Sequence, residues 1–309
     1  MRLPVLVFSV GVAVLMPQSP SCPAKEILMP VTVEVRERSV PEPLRGLKAG
    51  DFVLTGKGVE GAPGSVAVGL PADIVVLIED RGRGGLLAGA ADLFVKSLLP
   101  GDQVAVVTYG VSTKKQLAWS KDQELIRLAM ERGGDGTHLQ IAKPLYGVVD
   151  AYKLFGKLSE GRQRAIFMYG DNIDSGSQIR VEQLAANLIE ERVSLDLAMD
   201  PAPSRKIPRF NVPPPTVGNE SPAMRPALVG QQSVAMLAEA SGGNADVYMR
   251  AEFFQAMRER LKARVTLSYC VAKKYADRLP QVSLSEVALQ KWPNAELRGP
   301  GASAAAAKR

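Results

Sequence analysis

Apolar residues follow two rhythms along this chain. From Ile27 to Thr55, and again in Arg264 to Val271 and Pro280 to Leu289, apolar and polar positions alternate, the pattern of strands with one buried face. Between these segments, short and largely apolar stretches, unbroken from Ile74 to Ile78, alternate with stretches of helical spacing. The runs Ile74 to Ile78, Val104 to Tyr109, Arg164 to Tyr169, Val193 to Met199 and Ala245 to Met249 predict strands. Runs that short and that apolar belong to strands covered on both faces, as in a parallel sheet. Helical spacing is found in Leu86 to Leu98, Gln123 to Arg132, Thr137 to Leu158 (with Pro144 inside it), Val181 to Arg192, Val234 to Ala240 and Glu252 to Ala263. The order predicts an α/β fold: a doubly wound, mostly parallel sheet flanked by helices, plus a small β-subdomain built from the N- and C-terminal segments. Neither terminal segment carries a crossover helix, so each needs a partner for its apolar face and the two are expected to pack together.

Composition refines the boundaries. Arg2 precedes an apolar run, Leu3 to Met16, and then small residues and prolines up to Ala24. This reads as a secretory signal peptide over residues 1–24, cleaved after Ser21 or Ala24, with no transmembrane segment remaining. A lipid on Cys22 is an alternative, although the usual Leu before such a cysteine is missing. Residues 25–71 form the N-terminal β-segment, with 62–71 as a linker; 72–264 form the α/β domain; 265–299 form the C-terminal β-segment; and 300–309 form an alanine-rich disordered tail. Residues 200–231 hold eight prolines and read as an irregular insertion in the α/β domain. The two cysteines, Cys22 and Cys270, supply neither a zinc pattern nor a disulfide framework. With cleavage after Ala24, Cys270 would be a buried free thiol.

The junction after Ile78 is the first place to look for function. Glu79, Asp80, Arg81 and Arg83 fill a glycine-rich turn between strand and helix. In open α/β sheets such junctions lie at the carboxyl ends of the strands, where ligands bind. The net charge of +6 comes from dispersed residues and suggests solubility, not a nucleic-acid partner.

Several motifs together resemble the von Willebrand factor A (VWA) domain class, in particular the VWFA-related group of secreted bacterial proteins. VTVEVRE with GLKAGDFVL is similar to that group's N-terminal β-segment, and LLPGDQVAVVTYG to its second strand. GGDGTHL is similar to its glycine–threonine loop, RAIFMYGDNIDSGS to its fourth strand and acidic loop, and LAEASGGNADVY with VTLSYCV to its last helix and strand. The resemblance covers nearly everything after the signal peptide and makes residues 72–264 a VWA-like domain.

VWA domains carry a metal-ion-dependent adhesion site, Asp-x-Ser-x-Ser after the first strand, with a Thr and an Asp from two later loops. Carried over by position, the resemblance places Glu79, Arg81 and Arg83 on the first motif, Thr137 on the threonine and Asp171 on the later aspartate; a register one residue on begins at Asp80. No Ser or Thr lies between Val66 and Lys96, so no register restores the hydroxyl ligands. A guanidinium cannot lose its proton, and one about 5 Å from a divalent ion is repelled by several kcal/mol even at an effective dielectric near 20. Arg81 and Arg83 either turn inward and pair with Glu79, Asp80 or Asp171, or face outward as an anion-attracting rim.

The resemblance therefore implies an exported adhesion or protein-binding module, secreted or in the periplasm and envelope, with a degenerate, metal-free site and no cofactor. Its partner would be a protein or another anionic surface ligand. The alternative is a metal-dependent adhesion domain built from the residual acids and Thr137. A nucleotide-binding or hydrolytic enzyme is more distant: the chain has no Gly-x-Ser-x-Gly elbow, His-Glu-x-x-His motif or phosphate loop. Gly82-x-Gly84 meets Leu87 where a dinucleotide fingerprint needs a third glycine. His138, the lone histidine, has no nucleophile paired with it in sequence, so no catalytic residue is expected.

Overall fold

The computed structural model describes residues 22–38, 43–80, 84–110, 112–133, 142–156, 162–170, 177–199, 234–247, 250–276, 278–299 and 302. Arg81, Arg83, Thr137, His138, Asp171, the signal segment and the proline-rich insertion lie outside them.

The chain begins with β1 (Glu26–Glu37), β2 (Phe52–Gly56), β3 (Val59–Gly61) and β4 (Ser65–Val68). The α/β portion follows as β5 (Ala72–Glu79), α1 (Gly84–Ser97), β6 (Gln103–Tyr109), β7 (Thr113–Ser120), α2 (Gln123–Gly133), α3 (Pro144–Tyr152), β8 (Gln163–Gly170), α4 (Val181–Glu190), β9 (Val193–Met199), α5 (234–240), β10 (Ala245–Val247) and α6 (Phe253–Ala263). It closes with β11 (Val265–Ala272), β12 (Gln281–Leu284), α7 (Glu286–Lys291) and β13 (Ala295–Arg298).

Six strands form the main sheet in the order β10-β9-β8-β5-β6-β7. All neighbours are parallel except β6 and β7, which are antiparallel. The central strand β5 is buried along its whole length. Successive side chains on a strand point to opposite faces, and β5 uses both. Ile74, Val76 and Ile78 join a core with Leu87 and Phe94 of α1, Met130 of α2 and Phe253, Phe254 and Met257 of α6. Val75 and Leu77 join the opposite core, with Leu145 and Val148 of α3, Leu184 and Leu188 of α4 and Leu237 of α5. Two-sided burial is why the strand reads as an unbroken apolar run. The α/β, doubly wound architecture expected from the sequence is the one observed.

The terminal segments pair with each other. Glu26 to Val33 of β1 runs antiparallel to β11, and Glu34 to Glu37 runs antiparallel to β13, giving the sheet order β13-β1-β11-β4. A second sheet, β12-β2-β3, joins the two termini again. Their inner faces share one core: Val31, Val33, Phe52, Leu54, Leu267 and Val282 are all fully or almost fully buried.

Five sequence expectations change. Residues 62–71, expected as a linker, contain β4, which pairs with β11 from Ser65↔Ser268 to Val68↔Val265. Its small residues fit against a strand supplied nearly 200 residues later, which no local pattern reveals. Pro280 to Leu289, expected as one β-segment, divides into β12 and α7. Ser285 sets the division by accepting the Ala288 amide at 3.2 Å as a helix N-cap. The helix expected from Thr137 to Leu158 is described only as Pro144–Tyr152, with Pro144 in the first turn, where its missing N–H costs nothing. The edge strand β7 was not expected, because Lys114, Lys115 and Gln116 face solvent there; lysines commonly guard exposed sheet edges.

The fifth change concerns the cysteines. Cys270 is not a free thiol: it forms a disulfide with Cys22 that ties the start of the described chain to β11. The ladder explains the pairing, since Leu28 stands opposite Cys270 and the segment preceding β1 reaches back to it. No helix among the described residues is long and apolar enough to cross a membrane.

Candidate functional site: the carboxyl end of the main sheet

Strand order locates the crevice. From β5 the chain moves outward through β6 to β7, then returns to the other side of β5 as β8 and moves outward again to β9 and β10. The turn after β5 leads into α1 on one face, while the segment after β8 leads into α4 on the opposite face. Connections leaving adjacent strands in opposite directions open a crevice at the strands' carboxyl ends, the usual ligand position in such sheets.

Glu79 and Gly170 end the two strands beside this crevice. Glu79 is only 3% exposed, as the last residue of β5. A side chain at Gly170 would place its Cβ 2.6 Å from the Glu79 carboxylate and into the hydroxyl of Tyr109. Glycine at the end of β8 is therefore what lets the carboxylate and the phenol converge there. Tyr109 ends β6, is itself buried, and is packed from below by Gly147 of α3, where a Cβ would lie 3.0 Å from the Tyr109 Cβ. Asp80 follows outside the sheet, half-buried, with its amide donating to the Tyr109 carbonyl at 2.8 Å.

Next to this cluster a groove runs between β7 and α3, lined by Gly110, Ser112, Thr113, Lys143, Tyr146 and Asp150. The Lys143 amide donates to the Gly110 carbonyl at 3.0 Å, fixing the start of α3 against the end of β6. Thr113 donates its hydroxyl to Asp150, and Lys153 stands 3.7 Å from the same carboxylate. Tyr146 is 40% exposed, and the Lys143 ammonium lies 5.6 Å from its ring centre. None of these groove residues was singled out from sequence. The available signal was an aromatic on the polar face of a predicted helix.

Of the residues carried over from the VWA pattern, Glu79 and Asp80 are described and adjacent; Arg81, Arg83, Thr137 and Asp171 are outside the described residues. Among the described residues, Glu79, Asp80 and the Tyr109 hydroxyl are the oxygen donors that cluster where β5 and β6 end, and no group of three or more acidic, histidine or cysteine side chains forms there. A magnesium ion takes six oxygens in near-octahedral array, so this donor set does not by itself fit one.

No family model matches the chain, and no curated protein matches it. Solved structures do resemble it. An aerotolerance-related membrane protein from Bacteroides fragilis is 13% identical over 62% of this chain and 98% of its own, with a TM-score of 0.42. A von Willebrand factor type A protein from Catenulispora acidiphila is 13% identical over 75% of this chain and 49% of its own, with a TM-score of 0.43. The SpRpn10 VWA domain is 11% identical over 61% of this chain and 94% of its own, with a TM-score of 0.37. At such identities the likeness concerns the fold and not the activity.

Proposed function

We propose that this chain is an exported, VWA-like protein-binding module that meets its partner at the carboxyl end of the main sheet without a bound divalent cation. The observation that carries this reading is the reversal of strand order at β5, which sets the ends of β5 and β8, at Glu79 and Gly170, where sheets of this kind bind ligands. Arg81, Arg83, Thr137 and Asp171 belong to segments that leave or approach this end, and the arginines supply the positive charge that replaces a metal. An anionic partner group meets them in charge-assisted hydrogen bonds.

Export is supported by the apolar segment Leu3 to Met16 and by the Cys22–Cys270 disulfide, because such bonds persist in oxidising compartments. The disulfide also supports one of the expected cleavage positions over the other. A cut after Ala24 would discard Cys22, whereas a cut after Ser21 keeps it. A sulfur committed to a disulfide has no thiol left for a lipid.

The test is capture of partners from the native envelope or medium on immobilised mature protein, with and without a chelator and at rising salt. Binding should survive the chelator and weaken with salt, because exposed charges are screened over about 8–10 Å. Replacing Arg81 and Arg83 with glutamate should abolish capture. The opposing result is tight magnesium or manganese binding to the unmodified protein by calorimetry, lost on Asp171→Ala, which would favour the metal-dependent reading.

A further inference from the structure

Far from the crevice, where the small β-sheets meet the amino end of the main sheet, a cavity of about 20 Å³ lies among charged side chains. Its lining includes Glu34 of β1, Gln163 and Arg164 of β8, Arg192, Arg264 and Arg298. Glu34 is 1% exposed, and neither of its carboxylate oxygens has a hydrogen-bond partner among the described residues. The Arg264 Nε lies 3.6 Å from Glu34 Oε2, too far for a direct hydrogen bond. That Nε, the Nε of Arg164 and the Oε1 of Gln163 are likewise buried without a hydrogen-bond partner among the described residues.

The remaining groups here are well matched. Arg264 donates to both oxygens of Asp196, at 3.0 and 3.4 Å, and to the Ser194 hydroxyl. Arg164 donates to the Gly156 carbonyl at 2.6 Å and to Glu191 at 3.2 Å. Arg192 reaches the Pro30 carbonyl of β1. Unsatisfied donors and acceptors are thus gathered around one small space. Leaving a buried carboxylate unsatisfied is costly, and a polar contact beyond 3.5 Å suggests an intervening water.

The lining also selects the occupant. A cation would sit among four arginines. An anion would face Glu34, whose own oxygens lack donors. Water is neutral, donates to Glu34 and Gln163, accepts from an arginine Nε–H, and fits a space of this size.

We infer that this cavity is a binding site for a buried water, which joins Glu34 of the small β-body to Arg264, and to Gln163 or Arg164, at the amino end of the main sheet. The inference is independent of the partner-binding face. It is tested by a high-resolution crystal structure of the mature protein, from crystals grown with bromide in place of chloride. One water peak within hydrogen-bonding distance of Glu34 and of at least one of the other three groups is expected. A dry cavity with Glu34 turned directly onto an arginine would overturn the inference, as would a bromide anomalous peak in the cavity. In solution, oxygen-17 relaxation dispersion should lose the contribution of a long-lived water in Glu34→Met and keep it in Glu34→Gln. An unchanged profile in folded Glu34→Met would count against the inference; if Glu34→Met does not fold, the crystal structure alone decides.

Discussion

At the amino end of the main sheet, charged side chains are sealed in and, around Asp102 and Asp73, paired. At the carboxyl end, a buried acid, a phenol and a glycine stand beside a crevice. Asp102, just before β6, accepts from Arg258 Nε at 2.8 Å and Nη2 at 3.0 Å, and from the amides of Ala72 and Leu99 at 2.8 and 2.7 Å. Neither side chain of this ion pair is exposed. Asp73 at the start of β5 takes Gln103 and Arg162 at 2.8 and 2.7 Å. These contacts hold the starts of β5, β6 and β8 and helix α6 together. The comparison teaches a division of labour: one end of the sheet carries the joint to the β-body, which leaves the other available for a ligand.

The harshest test of that division is Asp102→Ala. It strands Arg258 in the core and should cost about 3–5 kcal/mol, read by urea denaturation. Replacing the pair together, Asp102→Leu with Arg258→Met, should recover much of that loss. A loss below about 1 kcal/mol for Asp102→Ala would mean that the amino end is not held by its charges.

Removing the Cys22–Cys270 disulfide by Cys22→Ser with Cys270→Ser should cost about 2–4 kcal/mol. The melting temperature should fall, while partner capture at the opposite end persists. A linked peptide joining the mature N-terminus to β11 should be found by mass spectrometry under non-reducing conditions and vanish on reduction.

Gly170→Ala probes the carboxyl end. Its Cβ meets Glu79 and Tyr109, so overpacking should cost about 1–3 kcal/mol and weaken partner capture. Unchanged stability would show that the ends of β5, β6 and β8 have room to spare, and would blur the contrast between the two ends.

The smallest effect is alkaline. Burial pushes the Tyr269 hydroxyl above its usual value of 10.0, while the neighbouring Arg192 charge pulls it partly back. The folded state therefore holds that proton more tightly than the unfolded chain does. Its contribution to stability is intact below pH 10.0 and is lost as the pH rises through the folded-state value. Tyr269→Phe should flatten this alkaline decline in denaturation curves measured across that range.

The site was partly legible. Glu79 and Asp80 are marked by the abrupt end of an apolar run, because a strand buried on both faces tolerates charge only where it emerges. Tyr109 and Gly170 each end a strand of their own, and nothing near either in sequence announces that they meet. The groove depends on α3 lying against β7, a packing relation invisible in both segments taken singly.

From Ile74 to Ile78 the sequence by itself determined strand type, because a strand buried on both faces reads there as an unbroken apolar run. Together with the intervening helical spacing, this was enough for the α/β class and for the pairing of the terminal segments. Only the tertiary structure decided that 65–68 is a strand, that Ser285 starts a helix, that Cys22 meets Cys270, and that Asp102 receives Arg258 across the fold. Periodicity records how one segment divides its own faces between core and water. Which distant strand, sulfur or charge completes that segment depends on where the whole chain brings them together.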